Sequence, residues 1–252
     1  MKTIAILSDI HSNLPALESV FRDLARRRGL LGTYHLGDLV GYAPWPNEVV
    51  ALLRKEGVQG IAGNYDSTVA TRYDHCGCNY EDPRDIELAH MSFAWTLKHT
   101  SEETRSYLGS LPFRMDLRPN GGHQAGPKVT LIHGNPSLNT VYWTADRSDS
   151  FCLQMAEKLR SRPGDTIVFG HTHKPWKREI EGIHFVNAGS VGRPKDGDWR
   201  ACYLLLQWGE VAKAEFVRVE YDLERAQEGI RASDLPHEFA EVLETAGRKK
   251  PS

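Results

Sequence analysis

The chain alternates between short apolar runs that stop at polar residues and stretches with an apolar position every three or four residues. Residues 3–8 form the first run, in "IAILSDIHSN", and predict a strand. "NLPALESVFRDLARRRG" follows, with Leu14, Leu17, Val20, Phe21 and Leu24 at helical spacing and Gly29 as a stop. "TYHLGDLVG" predicts a second strand running into Gly37 and Asp38. "PNEVVALLRKEG" predicts a helix with Pro46 near its first turn and Gly57 at its end, and "VQGIAGNYD" a third strand. Strand, helix, strand, helix, strand is the order of parallel pairing with crossover helices.

The middle of the chain is more helical. "DIELAHMSFAWTLKHT" predicts one helix and "TSEETRSYLGSLP" another, with Thr100 and Glu103 at capping-box spacing. Gly121 and Gly122 predict a turn ahead of a fourth strand, "KVTLIHGN". "DRSDSFCLQMAEKLRSRPG" is the next helix and "DTIVFGHTH" the fifth strand. The rhythm then changes: "GIHFVNAGSVG", "ACYLLLQW" and "VAKAEFVRVEY" read as strands in antiparallel pairs, with a turn at 209–210. Two helices in "DLERAQEGIRASDLPHEFAEVLETAG" end the pattern. No repeat or long linker interrupts it, so the 252 residues are expected to form one domain.

Charge narrows the partners. Lys plus Arg number 31 against 33 for Asp plus Glu, so no global positive field is available to hold a nucleic acid by counterion release. The "RRR" at 26–28 reads as the solvated end of a helix. The longest apolar runs fall far short of the roughly 20 residues that cross a bilayer. "MKTIAILSD" reaches Asp9 before a signal-like apolar region develops, so a cytoplasmic location without membrane contact is expected. Four cysteines do not make a dense disulfide framework. Cys76 and Cys78 beside His75 read either as a soft-metal or redox site or as free thiols on a loop.

The polar ends of the apolar runs carry the chemistry. Five segments end in potential metal ligands: Asp9 and His11, Asp38, Asn64, His133, and His171 with His173. The carboxyl ends of strands in α/β sheets are where ligands bind, because the loops there converge while the sheet holds them still. One such histidine is ordinarily structural; five similarly placed groups are poorly explained that way. Carboxylates, imidazoles and an amide oxygen suit Mn²⁺, Fe, Zn²⁺, Co²⁺ or Ni²⁺ better than an all-oxygen Mg²⁺ site. Seven ligands also exceed the needs of one ion, which points to two ions sharing a carboxylate.

The ordered series "DIH", "GD", "GNYD", "HG" and "GHTH", followed by "NAGSVGRP" at 187–194, resembles the calcineurin-like metallophosphoesterase family in its compact prokaryotic phosphodiesterase branch. The resemblance implies an α/β fold of four layers, with two packed mixed β-sheets flanked by helices. It implies that Asp9, His11 and His173 bind one divalent ion and Asn64, His133 and His171 a second, with Asp38 bridging them. Mn²⁺ is the favoured metal, ahead of Fe, Zn²⁺, Co²⁺ or Ni²⁺. A hydroxide shared by the ions would then attack a phosphate ester in line with its leaving group.

Many family members have His after the Asn, where this chain has Tyr65. A tyrosine, with reference pKa near 10, donates a hydrogen bond but replaces a cationic acid poorly. Asp38, Asn64, Tyr65 and Asp66 are thus the catalytic candidates, Asp66 as a support for local geometry or for a ligand imidazole. Asn135 and Arg193 are candidate phosphate contacts. The glycines of "GHTH" and "GNYD" suggest close backbone approach beside the ligands. Tyr142 and Trp143 could form a wall for a substrate group or an interface, which leaves a homo-oligomer open. His35, His75, His90 and His99 read as ordinary packing or surface histidines. The leading expectation is hydrolysis of a phosphodiester or a small nucleotide-like ester. A phosphomonoesterase or dinucleoside polyphosphate hydrolase, and a non-catalytic interaction scaffold, are the alternatives.

Overall fold

A computed structural model describes residues 2–78, 80–118, 126–208 and 212–248. The expected turns at Gly121–Gly122 and at 209–210 lie outside the described residues. The first sheet has the order β10-β9-β1-β2-β3, from β1 (Lys2–Leu7), β2 (Leu30–His35), β3 (Gln59–Gly60), β9 (Ala201–Trp208) and β10 (Lys213–Val219). β1, β2 and β3 are parallel, as expected, while β9 runs antiparallel to both β1 and β10. The second sheet has the order β4-β5-β6-β8-β7, from β4 (Met115–Leu117), β5 (Val129–Leu131), β6 (Thr166–Phe169), β7 (Trp176–Ile180) and β8 (Ile183–Asn187).

Both sheets are therefore mixed, and helices flank them. In β1, Ile4 and Ile6 face the core between the sheets while Ala5 and Leu7 face the helices, so both faces are buried. That is why the strand reads as an unbroken apolar run and not as an alternation. β9 does the same, with Leu204 and Leu206 between the sheets and Tyr203 and Leu205 against the helices. The helical layer over the first sheet includes α1 (Leu14–Leu24), α2 (Pro46–Lys55), α7 (Leu223–Arg231) and α8 (Glu238–Thr245). On the far side of the second sheet, α6 (Asp149–Lys158) covers Phe169 and Phe185.

Several local expectations change. α3 (Asn64–Ala70) is a helix where the sequence suggested only the end of a strand, and β3 is two residues long. α4 (Pro83–His99) begins earlier than expected, capped by the Asp82 carboxylate. α5 (Glu102–Ser110) is capped by Ser101, whose Oγ accepts from Thr104 N, and not by a Thr100–Glu103 box. β8 pairs parallel with β6, and its antiparallel neighbour is the unanticipated β7. A cavity of about 630 Å³ opens between Lys177, His184, Leu206 and Ala214; none of the expected ligands lines it.

Candidate metal centre

The loops that leave β1, β2, β3, β5 and β6 meet at one end of the sandwich. They are zipped together by backbone bonds: Asp9 N donates to Gly37 O (3.1 Å), His11 N to Asp38 O (3.0 Å), Ser12 N to Leu39 O (2.8 Å) and Gly170 N to His133 O (2.9 Å). Asp9, His11, Asp38, His171 and His173 all take positive φ, between 50° and 65°. This left-handed backbone is unfavourable for residues other than glycine, and the surrounding bonds hold it in place. A Cβ at Gly63 would overlap Asp38, and one at Gly170 would overlap Ser8 and Asp9, so the expected close approaches are present.

Two buried triads result: Asp9, His11 and His173, and Asp38, His133 and His171. Within each, the ligand atoms lie inside 4.8 Å of one another. Asp9 Oδ1 is 3.3 Å from His173 Nε2 and 4.0 Å from His11 Nε2. Asp38 Oδ2 stands between the triads, 3.5 Å from His133 Nε2 and 3.7 Å from His11 Nε2. Asn64 Oδ1 reaches His133 Nε2 at 3.1 Å, because its Nδ2 donates to Cys76 O at 2.9 Å.

The protons of three imidazoles follow from their backbone partners. Nδ1 donates to Val40 O from His11 (3.1 Å), to Leu36 O from His133 (2.8 Å) and to Arg193 O from His173 (2.6 Å). A carbonyl cannot donate, so each Nδ1 carries hydrogen and each Nε2 is the atom turned inward, the orientation of a metal-ligating histidine. Burial pushes the His11 and His171 imidazoles down to about 3, and His173 well below its ordinary value. Neutral His11 and His173 then face each other with Nε2 atoms 3.1 Å apart, which is repulsive without a cation between them. Asp9 Oδ1 and His171 Nε2 are buried with no hydrogen-bond partner. Burial also raises the Asp9 carboxyl, against the pull of His133. Two divalent ions fit this donor set, since they would satisfy every one of these atoms.

Around His133 and Asp38 the balance differs. Burial opposes charge on both, but their mutual attraction wins, holding Asp38 below the usual carboxylate range and pushing His133 up to about 9. A proton on His133 Nε2 thus occupies the direction in which a cation would satisfy both Asp38 and Asn64.

The structure separates the other expected site residues. Asp66 is fully buried and accepts from Leu39 N and Gly63 N, both at 2.9 Å; it braces two loops and touches no imidazole. Tyr65 packs its ring 5.6 Å from that of His11, but its hydroxyl donates to Ser92 Oγ at 3.3 Å. Tyr65 nevertheless lines the metal cleft, with His11, Asp38, His171 and His173. Asn135 Oδ1 accepts from Ser137 N and Leu138 N (both 2.8 Å), shaping its own loop, and it does not line the cleft. Arg193 lies over the Tyr42 ring at 4.0 Å, with Nη1 buried and unpartnered. Trp143 is a core residue stacked on Phe169, whereas Tyr142 stacks on His171 at 4.4 Å. Cys78, one of the paired thiols noted in the sequence, also lines the cleft, as do Tyr42, Tyr80 and Lys195, which were not anticipated; only proximity to the motifs, as with Lys195 after "GSVGRP", offered a signal.

Comparison with known proteins agrees with this geometry. The chain belongs to the calcineurin-like phosphoesterase superfamily, whose domain matches residues 1–210. It is 33% identical to "Uncharacterized protein MJ0912" of Methanocaldococcus jannaschii over 95% of this chain and 96% of that one. A metallophosphoesterase from Sphaerobacter thermophilus superposes with a TM-score of 0.75 at 27% identity, covering 97% of this chain and 99% of the other. The hypothetical protein PH1004 from Pyrococcus horikoshii OT3 shares the fold, with a TM-score of 0.81 at 23% identity over 99% and 100% of the two chains. The chain carries a binuclear metal-binding active site of the kind typical of metal-dependent phosphoesterases. Among the described residues, no helix is long and apolar enough to cross a membrane.

Proposed function

We propose that the protein, acting as one domain, hydrolyses small phosphodiesters. Asp9, His11 and His173 would hold one ion, Asn64, His133 and His171 the other, and Asp38 would bridge. The observation that carries this reading is the position of Asp38 Oδ2 between the two triads. Two divalent ions, with Mn²⁺ favoured, would supply a water of lowered pKa and Lewis acidity toward phosphate oxygens. The chain's own part is to hold these ligands in fixed tautomers and to keep the centre nearly dry, which strengthens every charge interaction there.

Arg193 is the residue best suited to hold a non-bridging phosphate oxygen, since its buried Nη1 has no other partner. Tyr142, stacked on His171, and Tyr80, hydrogen-bonded to Tyr42 at 2.8 Å, give the mouth an aromatic rim suited to a nucleotide-like group. Lys195 favours a second reading. It lines the cleft near Arg193, and although burial and Arg193 bring its ammonium down to about 7, the dianion of a monoester would draw it back to the charged form.

The test is turnover of bis-p-nitrophenyl phosphate and p-nitrophenyl phosphate by metal-stripped protein resupplied with Mn²⁺, Co²⁺, Ni²⁺, Zn²⁺ or Mg²⁺. Metal-dependent diester turnover that disappears in Asp38→Asn is the expected outcome. Preference for the monoester would move the assignment to a phosphatase, and two bound ions without turnover of either ester would argue for a scaffold.

A further inference from the structure

The Asn64 amide is held by two cysteines. Its Nδ2 donates to Cys76 O (2.9 Å) and approaches Cys78 Sγ (3.4 Å). The two residues are also drawn together directly: Cys78 N donates to Cys76 Sγ at 3.3 Å. Gly77 between them has φ +74°, a bend that brings residues 76 and 78 toward one another and that an L side chain would resist. Thr140 packs against that glycine from the opposite loop, which leaves little room for the bend to open. Cys76 is buried and Cys78 half-buried, and Cys78 lines the metal cleft.

We propose that Cys76 and Cys78 form a reversible disulfide that releases Asn64 from its metal-binding pose. The oxidant would be a small disulfide. A thiolate of the pair attacks one of its sulfurs and displaces a thiol, and the second cysteine resolves the mixed disulfide and displaces the other. One S–S bond is consumed and one formed, and the two cysteine protons leave on the released thiols. The Cys78 sulfur is then drawn from Asn64 Nδ2 toward Cys76, the Cys76 carbonyl turns with its residue, and the amide loses the partners that aim Oδ1 at His133. A disulfide across one intervening residue is strained, so it belongs to the oxidising, readily reduced class that switches and does not merely staple.

The inference rests on Asn64 being a ligand of the second ion, and its test keeps that question separate. Protein loaded with Mn²⁺ is equilibrated across a series of reduced-to-oxidised glutathione ratios, then scored for free thiols, for the cross-link by peptide mass, and for bound Mn²⁺ after dialysis. The expected result is a 76–78 link with loss of two thiols, about 10–100-fold weaker binding of one of two ions, and recovery in dithiothreitol. Cys76→Ser, whose backbone carbonyl still accepts from Asn64, cannot form the link and should keep both ions under oxidation.

Absence of the link at full oxidation, with only a glutathione adduct found, would overturn the proposal. So would a formed link with both ions still bound as tightly. Reduced protein that never binds two ions would instead overturn the binuclear reading itself, whatever the thiols do.

Discussion

Replacing Asp66 tests whether the centre depends on a brace that touches no ligand. Its two oxygens accept from Leu39 N and Gly63 N, both at 2.9 Å, in a fully buried position. In Asp66→Ala two buried N–H groups lose their acceptors, at about 1–3 kcal/mol each, so the loss should be about 2–6 kcal/mol. Asp66→Asn keeps one acceptor and turns an NH₂ group toward the other N–H, so it should lose about half of that. For a chain of this length, a loss of 4 kcal/mol lowers Tm by about 8–16 °C. The assay is urea and thermal unfolding of both variants, paired with calorimetric titration of Mn²⁺. Leu39 follows Asp38, and Gly63 precedes Asn64, so metal affinity should fall together with stability. An alanine variant melting within a degree or two of the parent, or an asparagine variant worse than alanine, would refute the bracing argument.

Tyr65→Phe should cost about 0.5–1.5 kcal/mol through the Ser92 contact and leave turnover within a few-fold. A general acid is worth about 100-fold or more, so a loss of that size would show that the hydroxyl reaches the substrate after all. Tyr203→Phe removes a 2.5 Å hydrogen bond to Asp23, which Arg27 also grips at 2.9 Å. Partial exposure limits the loss to about 1 kcal/mol at neutral pH. Burial raises the Asp23 carboxyl, but the Tyr203 and Arg27 bonds outweigh it and hold it below its ordinary value. The bond's contribution is therefore complete above about pH 4 and shrinks as the pH falls through the lowered native value. A stability gap between parent and variant that widens toward low pH would contradict this assignment.

Six of the seven expected ligands stand in the two triads, and those after β1, β5 and β6 were legible because they end runs buried on both sheet faces, where a polar residue has few structural reasons to stand. β1 and β6 were readable on the same ground. The direction of β8 was not: nothing local in "GIHFVNAGSVG" shows that it lies parallel to β6, since that depends on which strand it meets after the chain returns. β7, with alternating half-buried and exposed residues in "WKREI", lacks the apolar run that marked its neighbours. α3 is one short helix whose first turn holds the polar residues that ended the expected strand. That helix places Tyr65, whose ring lies against His11 while its hydroxyl reaches Ser92. Asn135 sits close to His133 in sequence, but its short side chain satisfies the loop beside it.

The left-handed backbone at Asp9, His11, Asp38, His171 and His173 has a consequence for anyone who evolves this chain in the laboratory. Each such residue costs roughly 1–2 kcal/mol that glycine would avoid, and the donors they carry are buried facing one another. In a chelator, the most stable sequences in a library would be those that had discarded these side chains. With metal present the ranking reverses, because the bound ions stabilise only chains that keep them. Selection for thermal endurance would therefore preserve or erase the enzyme according to what was dissolved in the buffer.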